Sequence, residues 1–202
     1  MNGRLRIATF VLSAFIGVVL VQDAYRDDVS PLEHWVSHLS LGDSGWVNIT
    51  APILTGLVTL TIVPAVRAAG RWPARWVAVV GVGLLIVGGF VSDAPPGTAY
   101  PEEMTWHGQV HDIGGGLVFV GLIATCITTS RYVSRRGGLI CALVVTVGWV
   151  TASVLAAIGY ADDSLTLPSG LAERVALFTG IAWLAVLARH LDRATPTEGT
   201  AS

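Results

Sequence analysis

Four of the five histidines in this chain form two pairs, and the members of each pair are four residues apart. The first pair, His34 and His38, lies in QDAYRDDVSPLEHWVSHLSLGDSG, and the second, His107 and His111, lies in FVSDAPPGTAYPEEMTWHGQVHDIGGG. Side chains at this spacing share one face of an α-helix, where two imidazoles can bind a metal ion or flank a substrate. Interfacial polar residues also show this spacing, so it leaves both interpretations open.

Carboxylates accompany these imidazoles. Asp93 precedes the second pair, Asp112 follows it directly, and Glu173 stands beside Arg174 at the start of the last apolar segment. Imidazole and carboxylate groups are common general acids and bases, so the set could move protons on a substrate. A helix-start position would equally explain Asp112, because the positive end of a helix favours an acid. An ion pair between helices is the simpler explanation of Glu173 and Arg174.

The composition excludes an ordinary soluble domain. Mean hydropathy is +0.65, 52% of the residues are hydrophobic and only 13% are charged, whereas soluble domains carry about 25% charged residues. A membrane-spanning helix needs about 20 mostly apolar residues. The chain therefore predicts an all-α polytopic membrane protein with six transmembrane helices, at residues 7–22, 46–66, 75–92, 111–130, 138–159 and 170–188.

The charges indicate how these spans are oriented. All twelve basic residues are arginines, and ten of them fall at the N-terminus, in alternate loops or in the tail, whereas most acidic residues fall in the intervening segments. Arginine-rich segments stay in the cytoplasm, which predicts a plasma (inner) membrane protein with both termini cytoplasmic. Residues 1–192 would form a single domain and residues 193–202 a disordered cytoplasmic tail. A net charge of -2 without a basic, aromatic-rich cluster indicates no nucleic-acid partner.

The first polar segment predicts a short extracytoplasmic amphipathic helix between the first two spans. Pro31 follows Ser30 as at a helix entrance, and apolar residues follow at helical spacing. Such a helix would lie on the membrane surface with His34 and His38 on one face.

The chain resembles the bacterial membrane family known as domain of unknown function 998 (DUF998). The resemblance lies in PLEHWVSHLSLGDSGWV, in the turn from Phe90 to Gly97 followed by TWHGQVHD, and in GLAERV at the start of the last span. It covers nearly the whole chain and implies a six-helix bundle in the plasma membrane, without implying an activity. The positions that match the family's recurring ones are His34, Ser37, Gly45, Trp46, Asp93, Gly97, His107, His111, Glu173 and Arg174.

These residues predict a pocket on the extracytoplasmic side. We expect catalytic roles for His107, His111, Asp93, Asp112 and His34, with His107 and His111 also as the ligands of a possible divalent metal. No cofactor is required by the sequence. We expect contacts with substrate from His38, Trp106, Tyr100, Glu173 and Arg174.

Several functions fit such a pocket. The first is acid–base chemistry on a lipid-like or isoprenoid-like substrate, in a hydrolase or an acid-initiated cyclase or isomerase. In a second mechanism, a metal ion bound by the histidines activates a water molecule. A haem protein, in which histidines would be the axial ligands, is a further alternative. The alternatives to an enzyme are a non-catalytic lipid-binding protein, an accessory subunit of a membrane complex and a small transporter. Membrane lipids and an apolar small molecule are the expected partners, with a membrane-protein partner or a homo-oligomer also possible.

Overall fold

The chain is described by a computed structural model that covers residues 3–95, 104–161, 165 and 167–194. Within these residues it forms six α-helices, each long and apolar enough to cross a membrane, which confirms the predicted all-α, six-span architecture. The predicted spans fall inside these helices except at the end of the third. The helices are α1 (Gly3–Tyr25), α2 (Gly45–Val66), α3 (Arg71–Gly89), α4 (Trp106–Val133), α5 (Arg135–Ala161) and α6 (Ser169–Ala194).

The helices form one bundle in which consecutive helices pack together. Helix α6 closes the bundle against α1 and also contacts α4. Of the most apolar window of α6, 61% is buried, compared with 22% of that of α5. Helix α6 is therefore the innermost helix, and side chains near its start can reach the centre of one end of the bundle.

The two ends of the bundle differ in charge. One end, here called the acidic end, is formed by the last residues of α1, α3 and α5 and the first residues of α2, α4 and α6. Both histidine pairs belong to it. The opposite end, here called the arginine end, carries ten of the twelve arginines. Only Arg26 and Arg174 belong to the acidic end.

Glycines allow α2, α3 and α4 to approach closely. A Cβ atom at Gly88 of α3 would lie 2.8 Å from the Ile49 carbonyl oxygen and 2.5 Å from the Ile53 side chain, both in α2. A Cβ atom at the next residue, Gly89, would meet nothing within 4 Å. Close backbone contact of this kind is a principal source of helix association in lipid.

The helix predicted between the first two spans is present as a five-residue 3-10 helix, Val36–Ser40. It is shorter than the sequence pattern, so His34 precedes it and does not share a helix face with His38. Its buried residues pack against α2 and α6. Contacts with these two helices hold the 3-10 helix in place. Glu173 of α6 accepts the Val36 N–H at 2.7 Å, and Asn48 of α2 donates to the Val36 carbonyl at 2.8 Å.

Arg174 fixes this polar segment to the bundle. Its guanidinium forms a two-pronged ion pair with Asp23 of α1, with N–O distances of 2.9 and 2.7 Å. A third nitrogen donates to the His34 carbonyl at 2.6 Å and to the Gly170 carbonyl at 3.1 Å. One buried side chain thus joins α6, α1 and the segment before the 3-10 helix.

Arg26 fixes the other half of the segment. It pairs with Asp28 at 2.6 Å through two nitrogens. It also donates to the Leu39 and Leu41 carbonyls and to the Ser44 hydroxyl, at 3.2, 3.0 and 3.0 Å. The backbone carbonyls around the end of the 3-10 helix therefore have a hydrogen-bond donor, which buried backbone groups require, and this donor is charged.

Replacement of Arg174 by glutamine is expected to destabilise the fold strongly. The side chains of Arg174 and Asp23 are only 5% and 11% exposed, so removing the cation leaves a buried carboxylate without its partner. Such a loss costs about 3–5 kcal/mol. The measurement is the melting temperature of the detergent-solubilised protein. Arg6→Gln is the control, because the side chain of Arg6 is 56% exposed and lies 3.5 Å from Asp192. Loss of this surface ion pair should lower the free energy of unfolding by less than about 1 kcal/mol. Equal shifts in the two variants would contradict the role given to Arg174.

Alanine at Gly88 is expected to push α3 away from α2 and to cost about 1–3 kcal/mol, because its Cβ has no space. Alanine at the adjacent Gly89 is the matched control and should leave the melting temperature unchanged or raise it. Both variants are measured in the same detergent. A Gly88→Ala protein as stable as the Gly89→Ala protein would rule out the close α2–α3 contact.

Candidate functional site

A cavity of about 430 Å³ lies inside the acidic end of the bundle. All six helices and the 3-10 helix contribute to its wall. Binding sites for small molecules commonly measure about 300–1,000 Å³ and are lined mainly by apolar side chains. The cavity therefore has the size of a small-molecule site.

The deeper wall of the cavity is apolar. Phe119 of α4 and Trp149 of α5 stack there with ring centroids 5.4 Å apart and planes 9° apart. Phe15, Leu84 and Leu177 complete this wall from α1, α3 and α6. A hydrocarbon group would be well solvated by this surface, whereas a charged group would not.

The remaining wall is polar and holds several of the groups predicted to do chemistry. It brings together imidazole, carboxylate, amide and phenol groups from the 3-10 helix and from four of the helices. These polar side chains are His38, Asn48, His111, Asp112, Tyr160 and Glu173.

His111 is held in one tautomer by a backbone carbonyl just after the end of α3. Its Nδ1 lies 2.6 Å from the Phe90 carbonyl oxygen. A carbonyl oxygen only accepts hydrogen bonds, so Nδ1 carries the proton and Nε2 of the neutral ring carries a lone pair. The Phe90 carbonyl serves this role because α3 ends at Gly89 and Phe90 is extended, with φ -125° and ψ 118°.

His38 is held in the opposite tautomer. The Trp35 N–H donates to Nδ1 of His38 at 3.1 Å, so in the neutral ring the proton is on Nε2. Burial is the main cause that lowers the pKa of His38 to about 3, and its neighbours His34, His111 and Arg174 lower it further. His38 is therefore a neutral hydrogen-bond donor at physiological pH.

His34 belongs to the frame of the site. Its Nδ1 accepts the Ser30 N–H at 3.0 Å, and its ring meets that of His38 edge-on at 6.0 Å between centroids. Burial lowers the pKa of His34, with a smaller opposing effect of Glu33 and a further lowering by Arg174. Gly170 of α6 lies against its backbone, where a Cβ atom would meet the His34 carbonyl oxygen.

Two further cavity residues have buried polar atoms that lack a partner within the described part of the chain. These atoms are the indole Nε1 of Trp35 and the amide Oδ1 of Asn48. Buried polar groups are nearly always hydrogen-bonded, so each calls for a water or a ligand atom. A bound molecule with one polar group would supply such a partner.

Asp93, His107 and Trp106 form a different cluster, at the start of α4. Asp93 accepts the Thr105 N–H at 2.9 Å and the Thr105 hydroxyl at 2.5 Å. The same hydroxyl accepts the Gly108 N–H at 3.1 Å and lies 2.9 Å from Nδ1 of His107. Trp106 is exposed and packs edge-on against His107. These contacts cap α4, and the three side chains do not line the cavity.

The predicted site residues therefore divide into two groups. His38, His111, Asp112 and Glu173 line the cavity, whereas His34, Asp93, His107, Trp106 and Arg174 support the elements around it. Tyr100 and the turn residue Gly97 lie outside the described residues. The division depends on the direction in which each side chain points, which membrane depth alone does not determine.

The metal site predicted at His107 and His111 gains no support from the donor geometry. His107 belongs to the cluster around Thr105, outside the cavity that His111 lines. Throughout the residues that the structure describes, no three His, Cys, Asp or Glu side chains are grouped to hold a metal ion.

Sequence reasoning missed Asn48, Tyr160 and the aromatic pair at the base of the cavity. Asn48 is the one asparagine within the six helices, and an amide inside an apolar helix is a signal that could have been used. Tyr160 lies at the end of α5, where an interfacial aromatic residue is ordinary. Nothing in the sequence distinguishes Phe119 and Trp149 from other apolar residues of their spans.

Acidification is expected to destabilise the protein through His38. Above its unfolded pKa of 6.5 the ring is neutral in both states and contributes no pH dependence. Between pH 6.5 and about 3 only the unfolded chain binds the proton, so stability falls as pH falls, by about 2 kcal/mol at pH 5. His38→Asn keeps an acceptor for the Trp35 N–H and should reduce the melting-temperature loss between about pH 7.5 and 5. The control variant His190→Asn, at the arginine end, should lose as much melting temperature on acidification as wild type. An equally large loss in His38→Asn would contradict the role given to His38.

Comparison with known proteins gives a family but no activity. No curated protein and no solved structure matches the chain. The family model described as "Protein of unknown function (DUF998)" matches residues 8–190, a range that includes every cavity residue named above. Since the match extends over most of the chain and agrees with the family resemblance of the sequence, the protein belongs to the DUF998 family.

Proposed function

We propose that the protein is a membrane enzyme that performs acid–base chemistry on a lipid-like or isoprenoid-like substrate bound in the cavity at the acidic end. The observation that supports this most directly is the pair of oppositely fixed histidine tautomers on one wall of a largely apolar cavity. We further propose that the acidic end faces the extracytoplasmic side of the plasma membrane, because the arginines are concentrated at the other end.

The apolar wall would bind the hydrocarbon part of the substrate. Five helices contribute side chains to this wall. These side chains are Phe119, Trp149, Leu177, Phe15 and Leu84. The polar group of the substrate would then lie beside His38 and His111. Orientation of this kind brings the reacting atoms to the catalytic groups and lowers the entropic part of the barrier.

His111 would act as the general base. Its Nε2 lone pair takes a proton from a water molecule or from the substrate, and the imidazolium that forms keeps its Nδ1–H bond to the Phe90 carbonyl. Asp112 lines the same cavity, and its negative charge stabilises that imidazolium. The proton then returns from Nε2 of His111 to the leaving group or to another atom of the product.

His38 would stabilise the negative charge that develops on the substrate. The Trp35 N–H on Nδ1 keeps the proton of the neutral ring on Nε2, and the low pKa keeps the ring neutral, so His38 would not exchange roles with His111. A neutral imidazole can polarise a carbonyl or an oxyanion in this way. Proton abstraction followed by hydrolysis or isomerisation is consistent with this arrangement.

Two substitutions separate binding from catalysis. Gly116 lines the cavity and a Cβ there would meet nothing within 4 Å, so Gly116→Leu should fill the cavity without a backbone clash. His111→Asn keeps an N–H for the Phe90 carbonyl but removes the base. The matched control is Gly89→Leu, which also starts from open space but lies outside the cavity wall.

The measurement is mass spectrometry of apolar molecules extracted from each purified variant. We expect wild type and Gly89→Leu to carry the same molecule and Gly116→Leu to lose about tenfold or more of it, because the added side chain occupies the binding space. We expect His111→Asn to carry a chemically different precursor, since the reaction stops. Unchanged content in Gly116→Leu would contradict binding in the cavity. An identical molecule in His111→Asn and wild type would contradict catalysis and favour a lipid-binding protein.

A further inference from the structure

A second cavity lies at the opposite end of the bundle. It measures about 490 Å³ and is formed by the connection between α2 and α3, the last turns of α4 and the first turns of α5. Three arginines line it: Arg71 at the start of α3, Arg131 near the end of α4 and Arg135 at the start of α5. The acid–base function proposed for the first cavity does not use this groove, here called the arginine groove.

The three guanidinium groups of the arginine groove have no partner in the part of the chain that the structure describes. Among the described residues, none of the three has a hydrogen bond or an ion pair. Arg26 and Arg174 at the acidic end show the opposite behaviour, since each is paired with an aspartate and with backbone carbonyls. All three residues are exposed and line the same groove, so their like charges would attract an anion to it.

The arginine groove has cations at its rim and apolar side chains deeper in the bundle, an arrangement that matches an amphipathic anion. Ile127 lies four residues before Arg131 in α4, and Leu139 lies four residues after Arg135 in α5, so each is about one turn deeper in the bundle. Both side chains line the groove and are exposed to about half of their area, at 49% and 47%. Trp72 borders the groove, with the guanidinium of Arg75 stacked 4.9 Å from its ring centroid.

We propose that the arginine groove binds the phosphate of an anionic phospholipid, with its acyl chains against Ile127 and Leu139. Guanidinium groups bind phosphate oxygens through two parallel hydrogen bonds, which makes arginine suited to this headgroup. Basic pockets between transmembrane helices are known to bind anionic headgroups. A free phosphate ion offers the same oxygens but leaves the apolar part of the groove uncovered.

The test compares two triple variants of the full-length protein with the same change in charge. Arg71→Gln, Arg131→Gln and Arg135→Gln remove the cations of the groove. Arg67→Gln, Arg136→Gln and Arg189→Gln remove three arginines of the same end that are exposed like those of the groove but do not line it. Apparent affinity is measured from the thermal shift of each detergent-solubilised protein during titration with phosphatidylglycerol, phosphatidylcholine or inorganic phosphate.

For phosphatidylglycerol, we expect the groove variant to bind at least about tenfold more weakly than wild type, and the control variant to stay within about twofold. Phosphatidylcholine should bind wild type more weakly, because it carries no net charge. Equal losses in the two triple variants would overturn the proposal and indicate general surface attraction. A full stabilising effect of inorganic phosphate alone would also overturn it, because the apolar contacts would then be irrelevant.

A second pair of variants keeps the test valid if the groove variant does not fold. Arg135 and Arg136 are adjacent at the start of α5, but only Arg135 lines the groove. Arg135→Gln should weaken phosphatidylglycerol binding by at least about threefold, and Arg136→Gln should not change it measurably. Equal effects of these two single substitutions would overturn the proposal.

Discussion

The acidic end of the bundle depends on the ion pair between Arg174 and Asp23. This pair joins the innermost helix to α1, and the remaining nitrogen of the same guanidinium binds the carbonyl of His34. Burial of two charges is unfavourable unless each is fully paired, and here both prongs of the arginine are used. The polar segment can therefore lie over the end of the bundle as part of the cavity wall, although its helix has only five residues.

Backbone groups, more than acidic side chains, set the chemistry of the two cavity histidines. The Trp35 N–H selects one tautomer of His38, and the Phe90 carbonyl selects the other tautomer of His111. Trp35 directly precedes the 3-10 helix and Phe90 directly follows α3, so both backbone groups lie just outside a helix. The end of α3 at Gly89 and the start of the 3-10 helix at Val36 are thus as important for the site as the histidines themselves.

The sequence was sufficient for the architecture because length and apolarity alone define a membrane-spanning helix. It also assigned His38, His111, Asp112 and Glu173 to one end of the bundle, where all four line the cavity. It did not separate them from Asp93 and His107, because residues at one depth can face either the interior or a neighbouring helix start. That distinction arises from the Thr105 cap, which draws Asp93 away from the cavity. The contribution of Asn48 likewise needed the position of Val36 in space.

Val36 connects two helices through a single residue. Its N–H is bound by Glu173 of α6 and its carbonyl by Asn48 of α2, so the distance between these side chains is spanned by the fixed covalent length of one amino acid. A relative movement of α2 and α6 would therefore have to bend these two side chains or break one of the two hydrogen bonds. The link restrains the gap between α2 and α6, and with it the width of molecule that fits under the 3-10 helix. Sequence drift among the apolar wall residues would alter the shape of the cavity while leaving this restraint in place.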